Sequence, residues 1–129
     1  MDTGIYTLKQ IKDADFNAAY RYVLRKHGRR ARFMERKAIV IEALDMPAPR
    51  FYITVHEAAR TINKMMKGQL PVHKSRLRRK MYFDMFNVFL QWRIENPEAK
   101  TVEGIDYVIN SQAPGFYMTP EYAMQIKIK

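Results

Sequence analysis

Cysteine is missing from the chain altogether. That excludes disulfides and thiolate metal sites, and it fits a reducing compartment such as the cytoplasm. Glycine is scarce and scattered, at positions 4, 28, 68, 104 and 115, so no glycine-rich loop can cradle a phosphate. Long apolar runs are lacking too. The densest, Met81 to Ile94, is interrupted by Asp84, Asn87, Gln91 and Arg93, short of the ~20 apolar residues of a membrane span. The start, Met1-Asp2-Thr3-Gly4, has neither the basic residues nor the apolar run of a targeting signal. No membrane partner is therefore expected. Acids are outnumbered, 13 to 23.

What is present is a core and a surplus of cations. Apolar residues make up 47% of the 129, enough for one folded domain rather than a disordered chain. The net charge of +10 is concentrated. Residues 25–37 carry Arg25, Lys26, Arg29, Arg30, Arg32, Arg36 and Lys37 against one acid, Glu35. Residues 73–80 carry Lys74, Arg76, Arg78, Arg79 and Lys80 with no acid. The rest of the chain is close to neutral, whereas a merely solubilising charge would be spread and mixed in sign.

Helical periodicity runs through most of the chain. Ile5, Leu8 and Ile11 recur at three-residue spacing behind Thr7, a candidate cap. Asp13 to Asp15 offers a second start, followed by Phe16, Tyr20, Val23 and Leu24 on one helix face and Gly28 as a stop. A helix over about 31–45 would bury Met34, Ala38, Ile41 and Leu44 or Ala43. Pro47 and Pro49 break it. Thr54-Val55-His56-Glu57 reads as a capping box opening a third helix that ends at Gly68. The fourth spans about Lys74 to Glu95. It is basic for two turns and then apolar nearly all round, so its second part must be enclosed by neighbours or meet a partner. A fifth, about 102–110, turns Val102, Ile105, Val108 and Ile109 inward. Thr119 caps the last, with Pro120 at its first position. The expected fold is all-α: a compact bundle of about six helices in one domain, residues 1–129.

One phrase occurs twice. Ala48-Pro49-Arg50-Phe51-Tyr52-Ile53-Thr54 matches Ala113-Pro114-Gly115-Phe116-Tyr117-Met118-Thr119 at an offset of 65, and Ala58 with Ala123 extends the match. The prolines stop one helix, the Phe-Tyr pair plugs a corner, and the threonine starts the next. This predicts two pseudo-repeats of helix–helix–break–helix, about 1–67 and 68–129. The basic runs are not repeated: the counterpart of 25–37 lies near 90–102 and carries Glu95 and Glu98. The Ala-Pro-x-Phe-Tyr-x-Thr phrase resembles small basic proteins of phages and mobile elements of Bacteroides-type bacteria. That resemblance implies a DNA-associated or virion-associated role.

Enzyme chemistry finds no constellation. The position four after His56 is Arg60, not the histidine of a zinc-protease helix, and His27 and His73 sit among cations. Asp84 stands alone in the apolar helix; a wet stripe shared with Asn87 and Gln91 is expected there, over a salt bridge to an arginine or a buried acid kept protonated. No catalytic residue, metal, cofactor or small-molecule substrate is expected. The two runs point instead to a polyanion. Arginine outnumbers lysine in them eight to four, and guanidinium forks pair phosphate oxygens and stack on bases. Residues 53–70 followed by Arg76, Arg78 and Arg79 suggest a helix-turn-helix, but the second helix turns apolar within two turns, so phosphate-backbone binding is expected over groove readout. Tyr6, Tyr20, Tyr22, Tyr82, Tyr107 and Tyr122 could stack on bases; core packing is the stronger expectation at helical spacing. Two functional classes follow. One is a non-enzymatic nucleic-acid binder using all twelve basic residues of the runs. The other is a structural subunit of a phage virion, portal or tail ring, meeting protein partners or copies of itself through the basic patches and the apolar helix. The expected location is the cytoplasm, or a virion assembled in it.

Overall fold

The structure is a computed structural model that describes residues 6–128; Ile5 lies outside the described residues. Among these the chain is all-α, with no strand or sheet. Its helices are α1 (Leu8–His27), α2 (Arg36–Leu44), α3 (Val55–Met66), α4 (Arg76–Glu95), α5 (Thr101–Ile109) and α6 (Pro120–Ala123), with a 3-10 segment, Gly28–Phe33, between α1 and α2. None of the helices is long and apolar enough to cross a membrane.

Hydroxyl caps start four of the helices. Thr7, Thr54, Ser75 and Thr119 each accept a backbone amide of the first turn, at 3.1–3.2 Å, satisfying one of the orphan donors of a helix end. Thr7 forms the full capping box with Gln10. The second start expected at Asp13–Asp15 does not occur. The Asp13 carboxylate is taken up by Lys9 one turn back, at 2.9 Å, and α1 runs straight through.

The expected helix over 31–45 is shorter and differently phased. Met34 and Glu35 are extended (ψ 143° and 142°), so α2 starts at Arg36 and buries Ile39, Val40 and Ala43. Ala38 and Ile41, expected inside, are exposed, and Met34 and Leu44 are half-buried. In α5, Val102 also faces out, while Ile105, Val108 and Ile109 are buried as expected. The enclosure expected of α4 is partial. Met81, Tyr82, Met85 and Phe89 form one buried stripe, but Phe83, Leu90 and Ile94 are exposed.

The chain is organised as two compact units, and the repeated phrase marks their borders. One unit comprises the residues up to Ala48 and those from Pro114 onward; the other is Pro49–Ala113. Each therefore contains a long helix, a short helix and a capped helix, the capped one drawn from the other half of the sequence. The short helices correspond residue for residue: α2 spans 36–44 and α5 spans 101–109, 65 positions apart at both ends.

In the first unit α2 packs on α1 and α6. Phe16 of α1 meets Phe116 edge to face, with centroids 5.6 Å apart, a favoured aromatic geometry. Tyr117 beside it takes a positive φ of 56°, alone in this among the described non-glycine residues. In the second unit α3, α4 and α5 pack on one another. Gly104 of α5 lies against the rings of Phe89 and Trp92; a Cβ there would fall 2.5–2.7 Å from them. Only glycine lets α5 come this close to the aromatic side of α4.

Candidate nucleic-acid interface

In the first unit the basic run is built around Gly28. It closes α1 with its amide on the Leu24 carbonyl and a φ of 59° that other residues resist. The 3-10 segment that follows has no buried residue. With no apolar anchor, its Arg29, Arg30 and Arg32 project outward; Arg25 at the end of α1 and Arg36 at the start of α2 are exposed as well. Arg29, Arg32 and Arg36 rim a shallow groove floored by Tyr20, Leu24 and Ile39. The Arg32 guanidinium lies over the Phe33 ring, 5.4 Å from its centroid, a cation–π distance.

Some cations of this run are spent internally. Lys26 and His27 share Glu42, at 2.8 and 2.7 Å. The hydrogen bond from Lys26, with help from His27, holds the Glu42 carboxyl below its ordinary range, and the same bond raises the Lys26 ammonium. His27, expected only to be crowded by cations, thus has a carboxylate partner. Lys37 lies 3.5 Å from Glu121. Arg36 donates to the Ile126 carbonyl at 3.2 Å, which satisfies one N–H and leaves its charge uncompensated.

In the second unit the run is anchored by Ser75. Its amide donates to His73 Nδ1 at 2.9 Å, and its hydroxyl caps α4. Arg78 departs most from the sequence expectation. Its guanidinium donates to Glu57 at 2.7 Å, to the Tyr82 hydroxyl at 3.4 Å and to the Tyr52 carbonyl at 3.5 Å, and it is half-buried. Arg78 is a tie within the unit and presents no open charge. Tyr82 also donates to Glu57. The expected capping box therefore forms only by half. Thr54 takes its amide, while the Glu57 side chain turns to Arg78 and Tyr82. Burial pushes the Glu57 carboxyl up, but the bonds from Arg78 and Tyr82 together outweigh it and hold it below its ordinary value. Burial and the bond to Glu57 raise the Tyr82 phenol. Lys80 pairs with Asp84 at 2.9 Å. Arg79 donates to the His73 carbonyl.

The twelve predicted residues thus divide. Lys26, Lys37, Arg78 and Lys80 have acid partners. Among the described residues no acid pairs with Arg25, Arg29, Arg30, Arg32, Arg36, Lys74, Arg76 or Arg79. Several of these occupy awkward ground: Arg36 stands in the first turn of α2, and Arg76 and Arg79 at the start of α4, with no acid in either first turn. A cation there opposes the positive end of the helix dipole, and an anion would relieve both.

Two features escaped the sequence reading. Phe33, outside the tyrosines considered for stacking, is 83% exposed inside the first run. Of those tyrosines, Tyr20 and Tyr82 are core residues, but Tyr6, Tyr22, Tyr107 and Tyr122 are exposed. The advance signal for Phe33 was its place as the one large apolar residue between Leu24 and Met34, beside arginines. Among the described residues no group of three or more His, Asp or Glu is placed to hold a metal ion. Comparison with protein-family models, curated proteins and solved structures finds no match.

Proposed function

We propose that the chain is a non-enzymatic nucleic-acid-binding protein that grips the phosphate backbone. The observation that carries this reading is the division of the cations: eight of the twelve in the two runs, seven of them arginines, have no acid partner among the described residues. A purely structural use of the runs would pair most of them, as it pairs Arg78. Fluorescence anisotropy on labelled DNA and RNA tests the reading. Contacts from all eight predict that log K falls against log salt with a slope of about −7 on duplex DNA. Failure to bind either nucleic acid at low salt would sink it.

A second reading, a structural subunit of a larger assembly such as a virion, portal or tail ring, is favoured by a different observation. Phe83, Leu90 and Ile94 on α4 and Val102 on α5 are exposed. Near them Glu95, Glu98, Glu103 and Asp106 have no ion pair among the described residues. Sedimentation that finds a strict monomer over a wide concentration range would remove its homo-oligomeric form. The two readings are compatible, since a subunit facing a packaged genome needs both surfaces.

A further inference from the structure

Among the described residues the three most exposed large apolar side chains are Val72 (93%), Phe33 (83%) and Leu70 (75%). Phe33 lies within the first basic run and the other two immediately precede the second. Apolar side chains held in water beside unpaired cations call for a partner that is both anionic and apolar. Phe33 is the most informative of them. It ends a 3-10 segment with no buried residue, and its neighbour Met34 is half-buried. Its ring is offered to solvent in a segment that also carries Arg29 and Arg30, with the Arg32 guanidinium over it.

We infer that Phe33 and Arg32 form a stacking platform for an unpaired nucleobase, so that the preferred ligand is single-stranded nucleic acid. The inference rests on the nucleic-acid reading above and deepens it. The ring face is electron-rich and repels a bare carboxylate, so an acidic protein surface would satisfy the arginines and leave the ring unmatched. A nucleotide satisfies both. Its phosphate takes the guanidiniums, and its base offers a π-face that ring and guanidinium can stack upon. In duplex DNA that π-face is hidden in the stack, and an exposed ring gains contact only by forcing a step apart.

The test compares three probes of equal length: an oligothymidylate strand, an abasic strand with the same phosphates, and a duplex. The wild-type chain is expected to bind oligothymidylate about fivefold or more tighter than the abasic strand. Phe33→Ala and Phe33→Leu are expected to bring oligothymidylate down to the abasic level. Neither should change the salt slope or the affinity for the abasic strand, and Phe33→Trp should restore the preference. Because the ring is exposed, these variants keep the fold, which circular dichroism verifies. If wild type and Phe33→Ala bind oligothymidylate equally, the platform is overturned while backbone binding stands. If Phe33→Ala loses affinity only for the duplex, the ring is a wedge and the inference is likewise overturned. If the wild type binds no probe at low salt, the underlying nucleic-acid reading fails.

Discussion

Glu57 accepts a hydrogen bond from Arg78 at 2.7 Å across twenty-one positions of sequence, joining the first turn of α3 to the first turn of α4. The acid that local sequence assigns to a helix cap is spent on a tertiary tie, and a predicted phosphate ligand is spent with it. Arg78→Ala would leave a partly buried carboxylate with only Tyr82. It is expected to lower stability by about 1–3 kcal/mol, read as the urea midpoint, with a smaller loss of nucleic-acid affinity than Arg29→Ala or Arg30→Ala causes.

The same tie sets an acid limit. The folded-state carboxyl of Glu57 lies below its ordinary value, so its contribution is fully present above the unfolded-state value near ~4.3 and is lost as pH falls through the folded value. Thermal unfolding followed from neutral pH down to about pH 3 should show this loss. Glu57→Gln should be less stable at neutral pH and flatter across that window. A variant as steep as wild type would reassign the acid sensitivity elsewhere, Glu42 being the next candidate.

Gly104→Ala places a methyl group 2.5–2.7 Å from the rings of Phe89 and Trp92. Overpacking of this kind costs about 1–3 kcal/mol. The chain has one tryptophan, so a shifted emission of Trp92 should accompany the lowered melting temperature.

Gly28 has open space around its Cβ position but a φ of 59° with ψ −131°. Gly28→Ala therefore isolates backbone strain, about 1–3 kcal/mol. Since Gly28 sets the direction of the arginine segment, the variant should also weaken binding by the first run while leaving contacts of Lys74 and Arg76 intact. Hydrogen exchange would localise the change to residues 25–37.

The division of cations gives a fifth prediction. Replacing Arg29, Arg30 and Arg32 with alanine should lower the salt slope by about 2.7, from ~0.9 per phosphate contact on duplex DNA. Replacing Lys26 and Lys80, which face Glu42 and Asp84, should change it by less. Equal slopes from the two sets would mean that the internal pairs open on binding.

Periodicity and capping residues, both local, made the helices and several of their ends legible. Thr7, Thr54 and Thr119 cap where the sequence places them, and Gly28 and Gly68 mark stops with positive φ. The phase of α2 was not legible, because Met34 and Glu35 adopt extended geometry that breaks the period before Arg36. Exposure of Val102, Ile41 and Phe83 was hidden for a related reason: apolar character gives a residue's preference, while the number of neighbouring elements decides whether it can be met.

By itself the sequence determined the all-α class, the positions of the breaks and the concentration of charge in two runs. These are properties of neighbouring residues, fixed by backbone sterics and by which ions adjoin. Local spacing settles one cation, Lys80, which meets Asp84 one turn on in its own helix; for the others tertiary structure decided which stay open. Whether such a cation meets an acid depends on residues far away in sequence, as Arg78 meets Glu57 and Lys37 meets Glu121. It also decided that the chain divides at Ala48 and Pro114, because compact units form wherever apolar faces can be buried together, and burial is indifferent to the order in which the chain supplies them.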